Sequence, residues 1–273
     1  MDLVLNLLAI TALFAGSVTD FRKHEVPYWI SYSFLAGAIG IRLLNSIFTS
    51  NFSYLLDGLL GLAVFFCAAY LMYKSSQWGG GDVSAAMGIG AVTGLNSSAF
   101  VFFILLIFVG AVYGIIWSVY LAMRNKRIFA GTFRKEFMKS KSIFVFASVF
   151  LVISLLSFAA IEFAFAFLLS GLALLFLIAV SSYIFVKSVE KSCLIKKVKA
   201  SQLTEGDWII DEIRMKGKLI ASPKYHGITM KQINALKNYR GKIQIKLGIP
   251  FLPAFLIAYV ALIFLKEFIL TLV

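Results

Sequence analysis

Charge is scarce in this chain: 14% of its residues are Asp, Glu, Lys or Arg, where an average soluble protein carries about 25%. A water-soluble globe of 273 residues cannot be clothed with so few. Proline is nearly missing at 4 residues, which excludes Pro-rich linkers and collagen-like repeats. The two cysteines, Cys67 in an apolar run and Cys193 in a Lys-rich one, are too few for a disulfide framework or a four-ligand zinc site. His24 and His226 are likewise too few and too separated to suggest a metal centre. Acidic residues number half the basic ones, 13 against 26, for a net charge of +13. What fills the space is apolar: 60% of the chain, including 27 Phe, with a mean hydropathy of +0.90. That balance specifies a membrane-embedded protein.

A bilayer core takes about 20 apolar residues per helix. Such runs predict helices over about Leu3–Thr19, Pro27–Phe48, Tyr54–Tyr73, Val83–Leu95 and Ser98–Met123. A basic stretch from Arg124 to Lys141 follows, and then a nearly uninterrupted apolar run to Val186. As one helix it would be about twice the bilayer thickness at 1.5 Å per residue, so a turn is expected around Ala159–Glu162, and Ile249–Val273 supplies the last helix. The fold class is therefore an all-α polytopic membrane protein of eight spans, or six if part of the long run lies on the surface. With the N-terminus outside, every Lys and Arg except Arg42 and Lys266 falls on the cytoplasmic side, as the positive-inside rule requires. Those two are expected to snorkel from outer helix ends.

Three parts follow: a membrane core over residues 1–186, a small cytoplasmic module over 187–247, and the final helix over 248–273. The module reads as α+β. Asp207–Asp211 has strand character after a Glu205-Gly206 turn, and Thr229-Met230-Lys231-Gln232 fits a capping box opening a short helix through Lys237. No aromatic-interleaved recognition motif accompanies the basic segments, so membrane lipids, not nucleic acid, are the expected partner of the positive charge.

Carboxylates at membrane depth are functional candidates by default. Asp57, Glu162 and Glu267 lie at outer ends, where solvation explains them. Asp20, Glu25 and Asp82 share the cytoplasmic face. Gly79, Gly80 and Gly81 precede Asp82 and strip one side of the chain of Cβ atoms, so another backbone can approach as an added strand. The bland alternative is that Asp82 merely caps a helix beside a flexible loop. Asp20 ends the first helix and Asp82 begins the fourth, and helix dipoles favour negative charge only at the second place. Asp82 is accordingly expected to be the ionised partner and Asp20 the protonated one. If the two meet, one carboxylate can deprotonate a water while the other protonates a scissile carbonyl.

These residues resemble the type IV prepilin peptidases, and within them the archaeal preflagellin and prepilin peptidase branch. The resemblance rests on Asp20 in Thr19-Asp20-Phe21-Arg22-Lys23-His24-Glu25-Val26-Pro27, on the Gly-x-Gly-Asp pattern at Gly79–Asp82, and on Gly248-Ile249-Pro250-Phe251-Leu252-Pro253 entering the last helix. It implies an aspartic endopeptidase that removes the short basic leader of prepilins or preflagellins at the cytoplasmic face, with Asp20 and Asp82 as the catalytic pair. Bacterial relatives often carry paired Cys-x-x-Cys motifs and an N-methyltransferase activity; Cys67 and Cys193 match no such pattern, so cleavage without methylation, metal or cofactor is expected. Since such leaders are basic, Glu25 and the module's Glu205, Asp207, Asp211 and Glu212 are candidate leader contacts beside the glycines.

Three rivals are separable. The presenilin and signal-peptide-peptidase group pairs Gly-x-Gly-Asp with an Asp in the immediately preceding helix, whereas here that helix has only Asp57 at its outer end. A secondary transporter should show mid-membrane sites and internal repeats, and neither is evident. A purely structural assembly protein would not cleave a leader.

Overall fold

The computed structural model describes the chain apart from Met1, Ser76, Ala160, Ile161, Lys216, residues 224–226, Asn238, Arg240 and Val273, and describes its side chains except also those of Asp2, Lys218 and residues 266–272. His226 and the side chains of Lys266 and Glu267 therefore lie outside the described residues. Each apolar segment is helical: α1 (Asp2–Lys23), α2 (Tyr28–Thr49), α3 (Ser53–Lys74), α4 (Gly80–Thr93), α5 (Ser97–Arg124), α6 (Lys126–Leu156) and α7 (Phe163–Val189), then, after a short α8 (Met230–Ala235), α9 (Leu252–Leu272). Among the described residues six of these, α1, α2, α3, α5, α6 and α7, are long and apolar enough to cross a membrane. The chain is a multi-pass membrane protein. The difference from the eight expected lies not in the long apolar run, whose α6 and α7 are both long enough, but in α4 and α9: α4 has 14 residues, about 21 Å at 1.5 Å each, short of a hydrocarbon core about 30 Å thick, and α9 has described side chains over Leu252–Leu265 alone.

Two helix starts differ from expectation. α4 begins at Gly80, not Val83, because the Asp82 carboxylate accepts the Gly79 N–H at 2.9 Å and so satisfies the first turn that two glycines would otherwise leave weak. α6 begins at Lys126, inside the basic stretch, because Lys, Arg and Glu are good helix formers wherever water or lipid headgroups receive their charge. α1 also runs past Thr19 to Lys23. Arg22 and Lys23 complement the negative end of its dipole, and the chain turns out of the helix at His24, whose φ is 55°.

By its contacts the chain forms two compact units, residues 1–116 with 248–273, and residues 117–247. In the first, α1 buries Leu5, Ala9 and Leu13, one residue per turn, in a core with Phe34, Phe65, Ile89, Phe102, Phe255 and Tyr259. α3 and α4 touch backbone to backbone. A Cβ on Gly61 would lie 2.3 Å from the Gly90 carbonyl oxygen, so only glycine permits this crossing. α9 returns to α1, where the Tyr259 hydroxyl donates to Asn6 Oδ1 at 2.8 Å.

At the C-terminal end of α4 sits a charge cluster that differs from expectation. Arg42 does not snorkel; it is 3% exposed. Its guanidinium donates to the Tyr54 carbonyl oxygen, to Val92 O at 2.9 Å and to Asp57 Oδ2 at 3.2 Å, and it stacks on the Tyr54 ring. Asp57 Oδ1 accepts the Leu95 N–H at 2.9 Å. Open carbonyls at helix ends give a buried arginine more donors' work than an outer interface would.

In the second unit α6 and α7 form an antiparallel hairpin, with Ser157–Ala159 continuing α6 as a 3-10 turn and Glu162 preceding α7. The expected turn is thus in place, although Ala160 and Ile161 at its middle lie outside the described residues. Small residues line the seam: Ala147, Ala166 and Ala173 are fully buried, and Ser170 Oγ donates to Ser154 O at 3.0 Å. Glu136 on α6 binds Lys191 at 2.9 Å. A π-helical turn, Glu190–Leu194, leads from α7 into β1 (Ile195–Lys199), followed by β2 (Trp208–Ile209), β3 (Ile213–Met215), β4 (Lys218–Ala221), α8 and β5 (Lys242–Lys246). One antiparallel sheet has the order β1-β5-β2, and β3 pairs with β4. The α+β module is as expected, and its capping box forms, with the Thr229 N–H donating to Gln232 Oε1 at 2.9 Å.

Candidate active site

Asp20 extends the buried stripe of α1. Leu5, Ala9, Leu13 and Ser17 recur every fourth residue, and three more residues bring Asp20 onto the same inward face, 8% exposed. Its Oδ2 accepts the Leu252 N–H at 3.1 Å, a free donor because Leu252 opens α9 after the buried Pro250. Gly16, one turn earlier, makes room: a Cβ there would stand 2.5 Å from the Leu252 side chain.

Asp82 is the third residue of α4 and is partly buried. The bland role exists, since it caps its helix through Gly79. That bond engages Oδ2 of the carboxylate. Asp20 and Asp82 lie close enough for their charges to act on one another. Among the described residues neither carboxylate has an ion-pair partner.

The three glycines divide by role. Gly81 is packed, and a Cβ on it would meet the Val26 side chain at 2.7 Å. Gly80 has no atom within 4 Å of where a Cβ would be, and Gly79 has only the Asp82 carboxylate. Both are exposed. Gly79 alone is extended, at φ −83° and ψ 170°, while Gly80 and Gly81 are already in the helix. Glu25 is exposed in the α1–α2 loop and directly precedes the Val26 that rests on Gly81. The structure thus brings Asp20, Asp82, the glycines and the Glu25 loop to one end of the first unit. Glu205, Asp207 and Glu212, by contrast, have local bonds within the second unit: Glu205 accepts the Met230 N–H, Asp207 accepts the Thr204 N–H, and Glu212 pairs with Arg214.

Of the site's other neighbours, Trp78 is marked in the sequence by its place beside the glycines, as a packing residue or one lining a substrate path, while the rest carried no signal of their own. Trp78 packs against Phe251 and Phe255 with ring centroids 6.2 and 5.1 Å away, which ties the glycine segment to the start of α9. Phe251 sits over Gly110 of α5, and Tyr113, one turn further along that helix, lies within reach of the Asp20 charge. Ser84 hydrogen-bonds Ser31 at 2.8 Å and the Gly81 carbonyl at 2.9 Å, holding the Asp82 turn against α2. Nothing in spacing distinguishes Tyr113 from the other tyrosines among 11, or these serines from ordinary helix residues.

Chemically, the set is two oxygen acids at a protein surface bounded by glycine. Among the described residues no group of three or more His, Cys, Asp or Glu is placed to hold a metal ion. Paired carboxyls in partial isolation from water do not readily ionise together, so one retains a proton while the other can accept one.

Compared with known proteins, residues 7–115 match the model of the type IV leader peptidase family. The match contains Asp20, the glycines and Asp82, and it ends one residue before the chain leaves the first unit at Ile116. No curated protein and no solved structure matches the chain.

Proposed function

We propose, because residues 7–115 match the model of the type IV leader peptidase family, that the chain is a membrane aspartic endopeptidase whose catalytic pair is Asp20 and Asp82. Its substrates are prepilins or preflagellins with short basic leaders, as in the archaeal branch, cut at the cytoplasmic face. The observation that carries this reading is the convergence of two carboxylates, far apart in sequence and, among the described residues, in no ion pair, beside exposed Gly79 and Gly80.

In the proposed reaction the ionised carboxylate takes a proton from a water whose oxygen attacks the scissile carbonyl carbon. The protonated carboxyl gives its proton to the carbonyl oxygen, and a gem-diol results. Collapse breaks the C–N bond as the carboxyl that took the water's proton passes it to the leaving nitrogen and the other carboxylate takes a proton back from a gem-diol hydroxyl. The pair ends with one proton, as it began. Helix dipoles alone rank Asp82 as the ionised member, but burial of its carboxylate, and after it the Asp20 charge, opposes that ranking; the proton belongs to the pair. Gly79 and Gly80 leave an open backbone edge for the extended leader junction, and Glu25 offers an acidic contact to the leader's cations. The substrate's apolar segment stays in lipid meanwhile.

Purified protein incubated with a leader-bearing substrate tests this directly. Wild type should release the leader, with the cut located by mass spectrometry just before the apolar segment, and Asp20→Asn and Asp82→Asn should each stop release while expression and folding persist. Cleavage surviving in either variant refutes the pair. Cysteine labelling that placed positions 20 and 82 on opposite sides of the bilayer would refute the topology.

A further inference from the structure

The three-stranded sheet of the second unit has two unlike faces. Strand alternation puts Val198, Ile209, Ile243 and Ile245 on one face, buried in the module's core with Leu236 of α8. The other face carries Lys197 and Lys199 of β1, Lys242 and Lys246 of β5, and Trp208 of β2. Lys199 stands directly opposite Lys242 in the register. Like charges in that relation destabilise a sheet, so the pairing has to be offset by something outside it.

Among the described residues no acidic side chain forms an ion pair with Lys199 or Lys242. Lys246 is bound to Glu190 at 2.8 Å and lies over the Trp208 ring. Lys197, Lys199 and Lys242 are exposed and, among the described residues, in no ion pair. The position of the face identifies what can balance it. Ile195 and Lys246 form the end of the ladder next to α7, which β1 leaves through the single turn Glu190–Leu194. Lys199 is four residues further, about 13 Å at 3.3 Å per residue, comparable with the roughly 8–10 Å over which surface charge acts in physiological salt. Lys187 and Lys191 add positive charge at the same helix exit. Lysines beside a tryptophan at the end of an apolar helix form the composition that settles at lipid headgroups.

We propose that this sheet face is a docking surface for anionic phospholipid headgroups, which lays the module on the membrane from which α7 emerges. A basic leader is repelled by the face, so it is not the leader's site. The inference stands apart from the peptidase reading, since it involves neither Asp20 nor Asp82.

The full chain in nanodiscs provides the test. With phosphatidylcholine alone, or mixed with phosphatidylglycerol, each lysine's rate of acylation is read by mass spectrometry. Lys231, exposed on α8 against the opposite face, is the internal reference. Lys197, Lys199 and Lys242 should label several-fold more slowly relative to Lys231 in the anionic discs, and high salt should restore their rates. Equal relative rates in the two lipids overturn the proposal. Protection of the same size in neutral lipid, insensitive to salt, also overturns it and assigns the face to a protein contact.

Discussion

The two ends of α4 handle negative charge in opposite ways. At its C-terminal end Asp57 is neutralised by Arg42 and by the Leu95 N–H, while Arg42 also draws in the carbonyls of Tyr54 and Val92. At its N-terminal end two carboxylates lie near enough to feel each other's charge and, among the described residues, in no ion pair; backbone N–H groups bind them, those of Leu252 and Phe251 for Asp20 and that of Gly79 for Asp82. A buried charge with a counter-ion holds helices in place, even though Arg42 Nε has no hydrogen-bond partner among the described residues. One left without a counter-ion keeps the freedom to exchange a proton, and the second arrangement is the one suited to chemistry.

Substitutions can break that contrast. The largest effect is expected in leader cleavage, where loss of an acid or base group removes on the order of 10²–10⁴-fold in rate. Asp20→Asn and Asp82→Asn should fall by at least that much with little change in melting temperature, whereas Asp57→Asn should retain a measurable rate. Equal inactivation by all three would erase the distinction. Next comes Arg42→Gln, which strands Asp57 and the carbonyls of Tyr54 and Val92 and should cost about 3–5 kcal/mol in detergent unfolding, with activity lost only as the protein unfolds. Gly81→Ala drives a methyl into Val26 and should cost about 1–3 kcal/mol, recovered when Val26→Ala is added. Gly80→Ala meets no neighbour and should stabilise by about 0.4–1 kcal/mol yet slow cleavage, if the open glycine edge receives the leader. Of similar size is Tyr259→Phe, which removes the bond to Asn6 and should cost about 1 kcal/mol, measured by the same unfolding assay.

Helices were legible because a bilayer demands long apolar runs, and the folded-back α6–α7 pair followed from length alone. Starts were less so. Glycine's low helix propensity hid the first turn of α4, whose stabilising bond comes from a side chain two residues inside the helix. Charge disguised the first turns of α6 as a loop. The shared end of Asp20 and Asp82 could be reached by counting crossings between them. Arg42 with Asp57, and Tyr113 near Asp20, could not, because they depend on which faces of different helices meet. Nor could the bond from Leu252, for its partner is 232 residues earlier in the chain.

That separation has a consequence for biosynthesis. Asp20 is synthesised 232 residues before the amide that binds it. At about 5–20 residues per second the ribosome needs roughly 10–50 s to bridge the interval. Throughout that time the nascent polypeptide offers this carboxylate no Leu252 N–H, so α1 must hold a buried acid in waiting until α9 has been made.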